Sequence, residues 1–87
     1  MLTMVQFIEF YVTAHNAYSA DRVRYVLGNL VSLGTVKDWS SKEDDDTVHF
    51  VVTGTWTAYS TVSAMIPKKK TPENSLISIS IEHYEDD

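Results

Sequence analysis

Residues 10–19 read FYVTAHNAYS, and residues 50–60 read FVVTGTWTAYS. Phe10, Val12, Thr13, Ala17, Tyr18 and Ser19 return as Phe50, Val52, Thr53, Ala58, Tyr59 and Ser60, with one extra residue in the second linker. Each copy opens on the β-branched and aromatic residues of a strand. Each then crosses a short linker into Ala-Tyr-Ser and a segment of helical character. A chain that runs strand, loop, helix twice is built from two like halves, and the remaining residues can be placed around them.

In the first half, residues 4–13 (MVQFIEFYVT) predict a strand. Met4, Ile8, Phe10 and Val12 share one face with Gln6, while Val5, Phe7, Glu9 and Tyr11 share the other. Residues 19–33 predict a helix. Ser19 is suited to be its N-cap, with Tyr18 and Val23 spaced as a hydrophobic staple and Asp21 in the first turn, where the helix dipole favours an anion. Val23, Val26, Leu27, Leu30 and Leu33 recur at helical period, and Gly34 is a natural stop because glycine takes the left-handed conformation at little cost. Residues 35–41 predict a short strand, 42–46 (KEDDD) a polar turn and 47–55 the returning strand, together a hairpin with an acidic tip.

The second helix is expected over 57–66. Thr57 or Ser60 caps it, Ala58, Val62, Met65 and Ile66 form its apolar face, and Pro67 ends it. After the loop PKKKTPEN, residues 75–84 alternate strictly, with Ile77, Ile79 and Ile81 against Ser78, Ser80 and Glu82, the pattern of a strand buried on one face. The order is β-α-β-β-α-β. Two βαβ halves of this kind predict an α+β, ferredoxin-like split-βαβ fold with antiparallel strand order 4-1-3-2 and both helices on one face. The repeat reads as duplication, shared loop geometry or chance. Its two copies should fall at opposite ends of the sheet.

Eighty-seven residues make a single domain, 1–87, with the acidic tail 85–87 frayed. A chain of this length buries only roughly 60–65% of its unfolded surface, so one sheet and two helices are about its capacity. No cysteine is present, which excludes disulfides, thiolate metal ligands and a cysteine nucleophile and fits a reducing, cytoplasmic setting. The first ten residues carry Glu9 and lack a basic leader, and no apolar run approaches the roughly 20 residues of a membrane span. The formal charge is −5, concentrated at Glu43, Asp44, Asp45 and Asp46 and at Glu82, Glu85, Asp86 and Asp87. Such a surface repels phosphate backbones, so general nucleic-acid binding is disfavoured and a basic protein partner favoured. The bland alternative is a pair of solvated tips that keep the chain soluble.

No catalytic or metal constellation stands out. His15, His49 and His83 lack ligand spacing, and zinc needs imidazoles converging within about 2.0–2.1 Å of one ion. Ser19 and Ser60 have no adjacent base and no glycine-rich turn, so capping accounts for them. The expectation is therefore no catalytic residue, no metal and no cofactor. Lys68, Lys69 and Lys70 read as a solvated loop or a grip for an acidic group. The open face of the sheet, with Phe7, Tyr11 and Val51, is the most informative surface, because apolar residues clustered on central strands call for a partner. That partner is a second copy or a different protein, and the chain is expected to form a homodimer. An RNA-stacking face fits poorly, since the charge is wrong and TVHFVVTG lacks the basic and glycine positions of such motifs. Trp56 is a candidate interface anchor or an end cap of the sheet.

FVVTGTW leading into a helix resembles the dimeric α+β barrel group, which includes antibiotic-biosynthesis-type monooxygenases. The resemblance rests on Trp56 and implies pairing through the sheets; no catalytic residue is carried over. The leading expectation is a small acidic, non-enzymatic binder or inhibitor of a larger basic-surfaced protein, of viral or mobile-element type, acting through Phe7, Tyr11, Val51 and Trp56 or through Asp44, Asp45 and Asp46. One alternative is a small-ligand or small-substrate protein of dimeric-barrel type, with a pocket lined by Trp56, Tyr11 and His49. The other is an assembly or structural protein.

Overall fold

The computed structural model describes residues 6–84; Met4, Val5 and the acidic tail 85–87 lie outside them. The chain runs β1 (Ile8–Ala14), α1 (Ala17–Leu33), β2 (Val36–Asp44), β3 (Thr47–Gly54), α2 (Trp56–Ser63) and β4 (Ile79–Glu82). The strands form one open sheet in the order β2-β3-β1-β4, the order expected from the sequence, and every neighbouring pair is antiparallel. Period-two alternation decides what each strand buries. Phe10, Val12 and Ala14 of β1 and Val48, Phe50 and Val52 of β3 point to one face. There they meet Ala20, Val23, Leu27 and Leu30 of α1 and Ala58 and Val62 of α2 in a single core. Both helices therefore cover the same side of the sheet.

The register sorts the connections to two ends. Ala14 lies opposite both Val48 and Ile79, and Ile8 lies opposite Gly54. The 15–16 linker, the β2–β3 turn and the entry to β4 share the first end. The turn after α1, the β3–α2 junction and the exit from β4 share the second. Lys70 belongs with the first end, where its Nζ donates to the Ile77 carbonyl at 2.9 Å. The two copies of the repeat enter their helices from opposite ends, as the antiparallel register requires.

Several local expectations need correction. The cap of α1 is Asn16, whose Oδ1 accepts from the Ser19 N–H at 2.7 Å. Ser19 lies inside the helix and is fully buried. The helix therefore starts early enough that Tyr18 is a helical residue, stacked under the Arg22 guanidinium at 5.6 Å, rather than a staple. Asp21 moves beyond the first turn and pairs with Arg24 at 3.1 Å. The stop at Gly34 is as expected: φ is 82°, its N–H donates to the Val31 carbonyl, and the Thr35 N–H donates to that of Leu30, a Schellman closure. Leu33, one residue before this turn, is 74% exposed instead of in the core.

The hairpin is tighter than the acidic run suggests. β2 continues to Asp44, which pairs with Thr47, so the turn is Asp45–Asp46 alone, with Asp45 at φ 56°. Aspartate tolerates that conformation better than most residues, which lets strand pairing extend into the charged run. α2 starts at Trp56, capped by the Thr55 hydroxyl rather than by Thr57 or Ser60, and ends at Ser63, before Pro67. Gly54 sits at a close approach, where an added Cβ would press at 3.1 Å on the Thr35 carbonyl oxygen and at 3.2 Å on Ala58 Cβ. β4 is short, because residues 71–77 are held in turns by Asn74, which accepts from the Thr71 N–H and donates to the Lys69 carbonyl. Among the described residues no helix is long and apolar enough to cross a membrane.

Candidate functional site

The face away from the helices is set by the residues alternating with the core. It carries Glu9, Tyr11 and Thr13 of β1, His49, Val51 and Thr53 of β3, Asp38, Ser40, Lys42 and Asp44 of β2, and Ser80 and Glu82 of β4. Tyr11 and Val51 are direct cross-strand partners, and Val51 is 36% exposed. Phe7, just before β1, continues the same parity and is 39% exposed. The structure thus groups Phe7, Tyr11 and Val51 on one face, but sets them among carboxylates, hydroxyls and an imidazole instead of in a continuous apolar patch.

The other sequence-selected residues lie away from this group of three. Trp56 is the first residue of α2, on the helix side, where its ring meets Tyr59 at 5.5 Å and His83 at 4.8 Å. Tyr59 in turn lies edge-on to Phe10 at 5.4 Å, so the Trp56 group closes one end of the core. Asp44, Asp45 and Asp46 are at the opposite end, all exposed. Trp56, Tyr11 and His49 line no common pocket, because the sheet lies between Trp56 and the other two. The histidines also diverge. His49 Nδ1 lies 3.3 Å from Thr13 Oγ1, His15 Nε2 lies 3.2 Å from Ser80 Oγ, and His83 Nδ1 lies 3.1 Å from the Glu9 carbonyl oxygen.

Sequence reasoning passed over the joint arrangement at the β1–β4 edge. Tyr11 pairs with Glu82 at the last position of the β1–β4 ladder, and Tyr84 follows two residues beyond the end of β4. Carboxylate and phenol alternate around a square, with the acids on one diagonal and the tyrosines on the other. Within β1 the Tyr11 hydroxyl donates to Glu9, and the Tyr84 hydroxyl donates to Glu82. The Tyr11 and Tyr84 rings are 5.4 Å apart at 55°. Beside them a shallow cavity of about 390 Å³ is lined by Gln6, Phe7, Ile8, Glu9, Tyr11, His83 and Tyr84. The hydrogen bond to Glu82, followed by that residue's charge, holds the Tyr84 phenol above its ordinary pKa. Removing the charge with Glu82→Gln should bring the Tyr84 titration, followed by tyrosine-labelled NMR, back down toward the ordinary phenol value. An unchanged titration would show that Glu82 is not the cause.

The partners of the charges separate this face from the helix side. Arg24 bridges Asp21 and, at 3.7 Å, Glu43, and lies 5.9 Å from the Phe50 ring centroid, so it ties α1 to the hairpin. Neither Glu9 nor Glu82 forms an ion pair with a described residue, and Lys42 stands two strands away from Glu82's neighbour β1. A second groove, of about 380 Å³, runs along α1 between Tyr18, Tyr25, Val26 and Met65, with Tyr25 73% exposed. Comparison with family models, curated proteins and solved structures finds no match to this chain.

Proposed function

We propose that the chain is a non-enzymatic binding module of ferredoxin-like architecture that takes a larger, basic-surfaced protein on the open face of its sheet. The architecture is supported by the element order, the β2-β3-β1-β4 sheet and the shared side of the helices. The binding reading is carried by one observation: Glu9 and Glu82 flank Tyr11 and Tyr84 with no cation from the described residues beside them. Tyrosine is enriched at protein interfaces because it combines a broad apolar ring with a polar tip, and unneutralised carboxylates steer a positive surface toward it.

The same charges favour a foreign partner over a second copy. In a two-fold stack this face meets its own copy, and its carboxylates Glu9, Asp38, Asp44 and Glu82 outnumber the ammonium of Lys42, so two copies repel on balance. Against that repulsion, Phe7 and Val51 offer only partly exposed apolar surface.

The test uses a variant carrying Asp38→Lys and Glu82→Lys. A basic protein retained by the immobilised wild type should be lost from the variant and should elute with salt. Its association rate should fall about tenfold or more, with a shallower salt dependence, as expected when steering charges are reversed. Equal retention and equal salt dependence for the two chains would sink the proposal.

A further inference from the structure

We infer that the square formed by Glu9, Tyr11, Glu82 and Tyr84 is a subsite for an arginine side chain of the basic partner. The inference rests on the open-face reading and sharpens it from positive charge in general to guanidinium in particular. A lysine ammonium is a strongly hydrated point charge, and any carboxylate satisfies it comparably well. A guanidinium is planar and weakly hydrated. It stacks on aromatic faces while its fork of N–H groups reaches a carboxylate two at a time.

The β1–β4 edge offers both kinds of contact side by side. The aromatic element is the Tyr11–Tyr84 pair, with ring centroids 5.4 Å apart and Tyr84 63% exposed. The anionic element is the pair of carboxylates on the opposite diagonal, and diagonal positions on neighbouring strands lie about 7–8 Å apart at the backbone. Each phenol donates to the carboxylate two residues before it in sequence, which fixes that carboxylate beside a ring. A carboxylate that accepts one such bond keeps further lone pairs for a guanidinium fork.

The adjoining cavity of about 390 Å³ has a mostly polar lining, and Phe7 and Ile8 are the residues in its wall against which the aliphatic stem of the arginine can lie. Charge complementarity selects the occupant, since Glu9 and Glu82 have no ion-pair partner among the described residues. The hydrogen bond to Glu82, followed by that residue's charge, raises the Tyr84 phenol above its ordinary pKa, in keeping with this geometry.

The test titrates the full chain with an arginine–glycine repeat peptide and with a lysine–glycine peptide of equal length and charge, read by amide chemical shifts. The arginine peptide should perturb Glu9, Tyr11, Glu82 and Tyr84. It should bind about three- to fivefold more tightly than the lysine peptide, the scale of an exposed cation–π contact. Tyr84→Leu, at an exposed position outside the strands, should remove that preference while keeping lysine-level binding. Glu82→Gln should weaken both peptides. Equal affinities with shifts on the open face would overturn the arginine subsite and leave the basic-partner reading standing. Shifts confined to Asp44–Asp46 would overturn the subsite as well. Binding of neither peptide would overturn both.

Discussion

Replacing Phe10 with alanine is expected to lower the stability of the fold by about 3–5 kcal/mol, the range for truncating a buried phenylalanine. Phe10 is fully buried at the middle of β1, opposite Val52, and its ring meets Tyr59 edge-on at 5.4 Å. β1 is paired on both sides, with β3 and with β4, so the surrounding backbone has little freedom to collapse into the space left behind. A small domain has only about 5–15 kcal/mol in total, so the variant should be close to unfolding at room temperature. Urea melts monitored by circular dichroism should show a midpoint lowered by molar amounts, since the slope for a small protein is roughly 1 kcal/mol per molar. Phe7→Ala is the control. At 39% exposure its loss should change the midpoint by a small fraction of that amount. Equal losses at the two positions would mean that Phe7 is buried as fully as Phe10, and a larger loss at Phe7 would mean that the faces of β1 have been assigned the wrong way round. The effect also bears on binding, because Glu9 and Tyr11 flank Phe10 in sequence and point to the opposite face. The anchor beneath the sheet holds the proposed subsite above it.

The sheet order was legible because the signals that set it are local and redundant. Alternation at Phe10, Val12, Phe50, Val52 and Ile79 fixed the buried face, and a helix between each first and second strand of the halves fixed the crossovers. Gly34 was legible for the same reason, since a single conformational demand decides it. The caps were not, because Asn16, Ser19, Thr55, Thr57 and Ser60 all have side chains able to cap. Only the actual first turn selects Asn16 and Thr55. The length of β4 was hidden because its alternating pattern continues into residues 75–78, where hydrogen bonds from Asn74 and Ser19 hold a different backbone path. The candidate site was legible as a face and not as a square. Parity along β1 separates Phe7, Glu9 and Tyr11 from the core, but the neighbour of Glu9 and Tyr11 across the edge depends on the β1–β4 register. The register shows Tyr11 facing Glu82, and the path beyond β4 then brings the Tyr84 ring against Tyr11. Trp56 was legible as an interface anchor or an end cap but not as a helical residue, because only the actual first turn shows that Thr55 caps α2 and that the indole lies against Tyr59 and His83.

Ser19→Ala is expected to cost about 1–3 kcal/mol, whereas Ser60→Ala, its counterpart in the repeated stretch, should be nearly silent. The letters repeat but the helix positions do not. Counted from the caps Asn16 and Thr55, Ser19 occupies the place of Ala58, and both donate their N–H to the cap side chain, at 2.7 and 3.2 Å. Ser60 lies farther along α2 and is exposed. The Ser19 hydroxyl is buried, accepts from the Ser78 N–H at 2.8 Å and lies 3.4 Å from the Leu76 carbonyl, to which it donates. Alanine would leave the Ser78 N–H without that acceptor in a partly buried setting, and an unsatisfied group of this kind carries the full desolvation cost. The loss should be felt first in β4, a four-residue edge strand paired only with β1. Amide exchange at Ile79–Glu82 should accelerate more than the drop in global stability accounts for, as in a sub-global opening. Because β4 positions Glu82 and Tyr84, the variant should also lose part of its preference for the arginine peptide although Ser19 lies on the other side of the sheet. Uniform acceleration of exchange across all strands would mean that the hydroxyl stabilises the whole core rather than docking β4. A cost at Ser60 equal to that at Ser19 would mean that the two copies of the repeat are structurally equivalent after all.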